Sequence, residues 1–433
     1  MKEIRLKITA KSPLAIGWRK PGSVSEAAEF ISGSVIRGAV ASQMLRLANG
    51  DSPEPGDDFH RLFVDEDAAV FCNGYPATTK DKENDNSQKN SNRNEIAIEV
   101  EDVRVLPATV VSAKASDGFK PKGNGVFDTL IDRFCAEECG QLYDPNDPQD
   151  GKRVEPYSGF YGKYQGRYVK LSVSKRLLTR VGMNRSRATS EDEILYSIEV
   201  LNEKFATQHK QEVNARELKQ WHNVIYRSSI FVEDEDMAQG LAYFINTHSR
   251  EFRLGGSASR GLGCVKIEAT CVEVNLENSV KNRIKKFNEI FQERREDWQA
   301  LFQGKPISNS QIYLTLDLQS DGIFIDDWKR TIVVTPSMLC QFAGIEDESL
   351  ELHAAYSSYN YVSGWNSAWG LMKDIDLVTM KGSVYLFSTE EIDRWYEPLA
   401  RLECRGIGER TLEGFGQIEV CNEFHQVFRE DAA

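Results

Sequence analysis

A glycine-rich turn occurs twice in this chain, and that repetition limits the possible folds more than any other feature. The first copy reads Gly255-Gly256-Ser257-Ala258-Ser259-Arg260-Gly261-Leu262-Gly263 and runs into Cys264-Val265-Lys266-Ile267. The second reads Gly406-Ile407-Gly408-Glu409-Arg410-Thr411-Leu412-Glu413-Gly414-Phe415-Gly416 and runs into Gln417-Ile418-Glu419-Val420. Each ends in Gly-apolar-Gly before an alternating segment, which is a strand pattern. Glycines let a backbone approach a ligand closely and turn its N–H groups toward it. An arginine stands with the glycines in each copy, Arg260 in the first and Arg405 and Arg410 in the second, and guanidinium forks onto phosphate. The pattern suggests two copies of one small αβ domain, each with an anion cradle that suits RNA phosphates. The plain alternative is a tight turn that uses glycine for positive φ.

The rest of the chain fits that duplication. Ile4–Thr9 alternates as a strand, and a helix follows from Ser32 or Ser34 toward Asn49-Gly50, with Ile36, Val40, Met44 or Leu45, and Leu47 on one face. Further on, Met237–Thr247 is apolar at helical spacing just before the first glycine turn, and Val265–Val274 closes the first domain as a strand. The second half repeats this order: strand Gln311–Leu318, strand Ser383–Phe387, helix Glu390–Leu402, glycine turn, strand. The expected class is α+β, with two ferredoxin-like (βαββαβ) domains. The expected boundaries are a first domain over 1–273 with an insertion at about 51–165, a linking helix in 274–310, a second domain over 311–422 and a tail over 423–433. Residues 80–94 hold one alanine-free, apolar-free polar run, a composition that predicts a mobile loop.

Charge argues against a wholly basic binding surface. The 433 residues carry a formal charge of −13, whereas free-standing nucleic-acid binders are more often basic. An RNA surface here must then be a local basic patch on an acidic body, and the remainder suits basic protein partners. The alternative is an acidic protein that binds no nucleic acid. No apolar run approaches the roughly 18 residues of a membrane span, and the charged, alternating start is not a signal peptide, so no membrane partner and a cytoplasmic location are expected. Eight scattered cysteines show no disulfide framework. Cys135 and Cys139 are the one close pair; Cys72 and His60 stand upstream, but the spacing is not that of paired knuckles. No metal or other cofactor is expected.

Other candidate RNA contacts are local. Gly33-Ser34 with Arg37-Gly38 places glycine and arginine at a helix start, where free N–H groups attract phosphate; an ordinary capped helix explains it equally. Arg19 and Lys20 lie in a loop, and Arg180, Arg185 and Arg187 lie in the densest basic stretch outside the glycine turns. Tyr356, Tyr359, Tyr361, Trp365 and Trp369 form an aromatic run near Lys373, in which core packing is the expected fate of most rings and Trp365 the candidate for base stacking. No Gly-x-Ser-x-Gly, Walker A or His-Glu-x-x-His motif is present, and no histidine sits in a recognisable dyad. No enzyme is expected.

Four stretches in order resemble a known family. Ser32-Gly-Ser-Val-Ile-Arg37-Gly-Ala resembles the N-terminal helix start of the RAMP superfamily, the RNA-binding subunits of CRISPR effector complexes. Thr179-Arg-Val-Gly-Met-Asn-Arg185 is similar to a segment of its two-domain members. The loops Gly256–Gly263 and Gly406–Gly416 resemble its glycine-rich loops. Tyr361-Val-Ser-Gly-Trp365-Asn with Lys381-Gly-Ser-Val-Tyr-Leu-Phe387 resembles a segment of the members that cap the complex. The nearest likeness is the type III-D subunit that binds the 5′ tag of the guide RNA. The resemblance implies a structural role without nuclease activity. It implies the crRNA 5′ tag as ligand, contacts to the large palm-domain subunit and the RAMP backbone subunits, and target RNA only indirectly. It implies RNA contacts by Gly255, Gly256, Ser259, Arg260, Gly261, Gly263, Gly406, Gly408, Arg410, Gly414 and Gly416. Relatives carry Cys-x-x-Cys knuckles in the insertion, which Cys135 and Cys139 match only in part. Two other roles in the superfamily remain open: a guide-processing endoribonuclease using a histidine such as His60, and a backbone subunit cleaving target RNA with Asp128 or Asp132. From another class, a two-domain adaptor without RNA also remains.

Overall fold

The computed structural model describes residues 1–17, 26–48, 53–82, 94–146, 153–184, 189–210, 217–273, 276–302, 311–366 and 370–433. The chain divides into two compact units. The first comprises Met1–Val103, Leu171–Glu273 and Val362–Asp376; the second comprises Arg104–Lys170, Val274–Tyr361 and Leu377–Ala433.

In the first unit, β1 (Lys2–Ala10) leads to helix α1 (Gly33–Leu47) and the short β2 (Val70–Phe71). A long two-stranded arm follows, β3 (Lys175–Asn184) paired with β4 (Thr189–Leu201). Then come β5 (Ile225–Val232), α2 (Glu235–Thr247) and β6 (Val265–Glu273). The sheet order is β6-β1-β5-β2, which is the 4-1-3-2 order of a ferredoxin-like βαββαβ domain. Strand β1 is central and pairs antiparallel on both sides, Lys2 opposite Val232 and Glu273. Ile4, Leu6 and Ile8 alternate into the core with Ile230, Val265 and Ile267, as the period of two requires. Asp234 caps α2 by accepting the Met237 N–H at 2.9 Å.

The second unit opens with α3 (Leu276–Phe302), followed by β7 (Ile312–Leu318). A small hairpin follows, β8 (Phe324–Asp326) and β9 (Lys329–Thr331), then α4 (Pro336–Ala343) and β10 (Glu351–Tyr356). It closes with β11 (Val384–Thr389), α5 (Tyr396–Arg405) and β12 (Ile418–Val420). The order β10-β11-β7-β12 is 2-3-1-4, the same order read from the other edge, so both halves carry the ferredoxin-like plan expected from the repeated turn.

Three boundaries differ from the sequence reading. The segment expected as one insertion of the first domain is divided: residues up to Val103 stay in the first unit, and Arg104–Lys170 belong to the second. There they form small sheets and a helix (Leu130–Glu138) whose Ile131, Phe134 and Cys135 enter the second core. Helix α3 is not a free linker. Its buried face, Val280, Ile284, Phe287 and Phe291, packs into the same core, and a segment that buries this much apolar surface is held by the unit it packs on. Residues 423–433 are not a loose tail either. Phe424 and Val427 are buried with Val110, Val126 and Tyr161, and Ala433 exchanges backbone hydrogen bonds with Val126, each at 2.9 Å. Of the polar run 80–94, residues up to Lys82 form a strand paired with Glu95–Glu99; residues 83–93 lie outside the described residues.

Candidate nucleic-acid interface

The two glycine turns have the same backbone. Each residue of the first matches the residue 153 positions later (255 to 408, 263 to 416). Gly255 and Gly408 have φ of 85° and 84°. Ser257 and Arg410 are left-handed at φ 58°, ψ 31° and φ 57°, ψ 32°, and each opens one turn of 3-10 helix that ends at a left-handed glycine, Gly261 or Gly414. The anchoring bonds repeat as well. Gly256 N–H donates to Ala15 O at 2.8 Å and Gly263 N–H to Pro13 O at 2.9 Å; Glu409 N–H donates to Ile323 O at 2.9 Å and Gly416 N–H to Asp321 O at 2.8 Å. Both turns are thus folded back on the segment that leaves the first strand of their own domain.

This shows what the glycines do. A Cβ on Gly263 would lie 2.5 Å from Leu254 O, and one on Gly416 would overlap Ile407 O. Their first task is to let two chain segments touch. The amides of Gly256, Arg260, Gly261, Leu262 and Gly263 are all engaged within the unit. The amides of Ser257, Ala258 and Ser259 have no acceptor among the described residues. They sit where the crest is most exposed, since Gly256, Ala258, Ser259, Arg260 and Gly261 are all open to solvent. Successive amides in such a turn form a concavity for an anion.

Charge separates the two copies. Arg260 donates from Nη1 to Tyr196 Oη at 2.6 Å, and its guanidinium lies 5.3 Å from the centre of the Tyr196 ring. Arg180 on β3, directly opposite Tyr196 in the arm, donates to Arg260 O at 3.2 Å. No carboxylate pairs with either arginine among the described residues. The first turn is therefore an exposed, cationic site with an aromatic floor. In the second turn Arg410 is held by Glu413, Nη2 to Oε2 at 2.8 Å, and lies over Phe415. Gly406, Gly414 and Gly416 are buried, Gly408 is half-buried, and Arg405 ends α5 half-buried. The arginines are also not equivalent: Arg260 corresponds to Glu413, and Arg410 to Ser257. The expectation of matching arginine cradles is corrected accordingly, because a carboxylate replaces the first copy's arginine and neutralises the other.

The start of α1 departs from its expected role. Gly33 N–H donates to Asn73 Oδ1 at 2.8 Å in a buried contact, and Ser34 Oγ lies 3.0 Å from Ser32 Oγ. Arg37 donates to Phe63 O and lies 5.8 Å from the Phe63 ring centre; Gly38 alone is exposed there. The amide and the guanidinium that were expected to meet phosphate join α1 to its own unit. Asn73 had no signal in the sequence, because the contact is made across 40 residues.

Lys373 is half-buried, its amide donating to Gly364 O at 2.7 Å. Of the aromatic run, most of whose rings are expected in a core, Tyr359 and Tyr361 are 58% and 57% exposed, and Tyr356 lies under the Arg133 guanidinium at 5.2 Å. Trp365 is placed on a short strand paired with Leu371–Met372. Arg19, Lys20, Arg185, Arg187 and Trp369 lie outside the described residues. Cys135 is buried, which pushes its thiol up to about 12. Cys72 and His60 belong to the first unit and Cys135 and Cys139 to the second, and no cluster of three metal-ligating side chains occurs among the described residues. No helix of the described residues is long and apolar enough to cross a membrane.

The carboxylates considered for cleavage are occupied. Asp132 accepts from Arg294 Nε at 2.5 Å, Arg294 Nη2 at 3.0 Å and Trp298 Nε1 at 2.9 Å. Asp128 accepts from Thr109 Oγ1 at 2.6 Å and the Leu130 amide at 2.7 Å. Both are buried.

No curated protein sequence matches the chain. Among solved structures, the chain is similar to one in a type III-B Cmr-β complex bound to cognate target RNA and AMPPnP, at 12% identity over 91% of this chain and 88% of that one, with a TM-score of 0.39. It is similar to a Cas6 product complex at 14% identity over 46% of this chain and 80% of that one, TM-score 0.27. It is also similar to a chain of a type IV-B CRISPR complex at 13% identity over 63% and 92%, TM-score 0.24. The RAMP superfamily matches residues 7–266, a span that runs from β1 through the first glycine turn into β6; the chain belongs to the RAMP superfamily.

Proposed function

We propose that this chain is an RNA-binding subunit of a type III CRISPR effector complex, most like the type III-D subunit that holds the repeat-derived 5′ tag of the guide RNA. In this reading it contacts the large palm-domain subunit and the first RAMP backbone subunit, and it meets target RNA only through the assembled complex. One observation carries the reading: the exposed first turn joins three amides, Ser257 to Ser259, that have no acceptor among the described residues to two arginines, Arg180 and Arg260, that pair with no carboxylate among the described residues. Amides and guanidinium together match the phosphodiester oxygens of a single strand. Family membership supplies the class of ligand. The overall charge of −13 fits a subunit whose RNA contact is local.

The role is structural rather than catalytic. The buried and paired states of Asp128 and Asp132 support that side of the proposal, as does His60, which is half-buried against Asp57 at 3.3 Å.

The test is to purify the tagged full chain from its host with its associated RNA and to sequence that RNA. Short RNAs sharing one repeat-derived 5′ end are expected. An Arg180→Ala, Arg260→Ala double variant is expected to lose them. Retention of the same RNA by the double variant would remove the turn from the interface. Cleavage of unprocessed repeat RNA by the purified chain would replace the structural role with an endoribonuclease.

A further inference from the structure

The β8–β9 hairpin of the second unit presents a tryptophan that its own domain does not use. Ile325 pairs with Arg330 and Asp326 with Lys329 across the hairpin. The two-residue connection is Asp327-Trp328, at φ 43° and 68°. Two consecutive positive φ values are the mark of a type I′ turn, whose second position is ordinarily glycine. A bulky side chain there strains the backbone. The Trp328 side chain is also 99% exposed, so the indole gains no burial to offset that strain. Strain and full apolar exposure at one residue are both unfavourable to the isolated fold.

The base of this hairpin is fixed. Phe324 is buried in the core, Ile323 O accepts the Glu409 amide at 2.9 Å, and Tyr385 Oη donates to Ile332 O at 2.7 Å. The tip therefore projects from a rigid support, with Ile325 exposed beside it.

We propose that the β8–β9 hairpin is a protein-docking finger, with Trp328 entering an apolar pocket on a partner protein of the assembly. The inference rests on the reading of this chain as a subunit. Charge selects protein over RNA. Asp326 and Asp327 balance Lys329 and Arg330, and Glu409 is exposed on the neighbouring turn, so the finger offers a polyanion no net attraction. Tryptophan and arginine are the side chains that dominate protein hot spots, ringed by near-neutral polar contacts. A preformed hairpin also loses little freedom on docking.

The experiment places p-benzoylphenylalanine at position 328 of the full chain and crosslinks the assembly isolated from its host, with and without ribonuclease. A crosslink to one stoichiometric protein subunit, resistant to ribonuclease, is expected. Trp328→Gly is then expected to weaken binding of that purified subunit by about 30-fold, the scale of a hot-spot tryptophan. The same variant should melt no lower than the parent, because glycine relieves the positive φ. A crosslink to RNA alone, unchanged affinity of Trp328→Gly, or a lowered melting temperature would each overturn the finger. RNA content of the same preparations separates the two readings. Bound guide RNA with no protein crosslink removes only the finger; a protein crosslink without RNA keeps the finger and removes the RNA role.

Discussion

Ser257 and Arg410 share one left-handed backbone conformation, within a degree in both φ and ψ, although one is a small hydroxyl residue and the other a guanidinium held by Glu413. The same turn has been kept twice while its chemistry has been divided. In the first copy Arg260 is exposed; in the second a carboxylate from the turn itself pairs with the arginine. Arg260→Ala with Arg180→Ala should therefore lower the salt dependence of single-stranded RNA binding by about 1.4 in log–log slope, ~0.7 for each lost phosphate contact. Arg410→Ala should leave that slope nearly unchanged. Titrations of the RNA complex between low and moderate salt measure both. Equal losses for Arg260 and Arg410 would show that the Glu413 pairing does not decide the matter.

The glycines of the turns should differ in importance by position. A Cβ at Gly263 meets the Leu254 backbone, and one at Gly416 meets that of Ile407, whereas one at Gly261 meets nothing within 4 Å. Gly261→Ala carries only the left-handed strain of about 1–2 kcal/mol. Gly263→Ala and Gly416→Ala carry that strain and must also push two backbone segments apart, so each should lower the melting transition of its own unit well below that of Gly261→Ala. Calorimetry of the full chain, resolving its transitions, makes the comparison.

These turns also show what the sequence could and could not tell. Their repetition and their place before a strand were legible because glycine and alternation are local signals, and the ferredoxin-like order followed from them. The pairing of Arg410 with Glu413 is also local, three residues apart, but reading it requires knowing that the 3-10 turn brings the two together. The tie of Gly33 to Asn73 and the placing of Arg104–Lys170 in the second unit depend on contacts between distant segments. Composition and periodicity carry no record of those. Trp328 carries no local sequence signal, since large aromatics ordinarily bury; its positive φ and its exposure distinguish it.

Cys135 offers a chemical test of the helix Leu130–Glu138. Burial, with Glu138 and Asp132 nearby, raises its thiol to about 12, and the thiolate is the reactive form. Iodoacetamide at pH 8 should leave Cys135 unmodified in the native chain and label it once the chain is unfolded, with peptide mass spectrometry as the readout. Rapid native labelling would place the thiol at the surface and reopen a metal-binding role for the Cys135–Cys139 pair.

The second unit contains a buried histidine between two carboxylates, whose titration should appear in its pH stability. His425 is fully buried between two carboxylates, with Nε2 2.8 Å from Asp317 Oδ1 and Nδ1 3.2 Å from Asp128 Oδ2, the latter at ion-pair distance but outside hydrogen-bond geometry. Burial alone would lower its pKa; the charges of Asp317 and Asp128 more than reverse this and raise it to about 10. A group whose folded pKa lies above its unfolded value of ~6.5 contributes stability that is fully present below pH 6.5 and lost as the pH rises toward 10. His425→Gln removes the cation and leaves two buried carboxylates facing each other, a defect of about 3–5 kcal/mol at neutral pH. The gap in melting temperature between the native chain and His425→Gln should be widest near pH 6 and narrow steadily to pH 10. A gap independent of pH over that range would mean that His425 is neutral in the folded chain and acts only as a hydrogen-bonding spacer between Asp317 and Asp128.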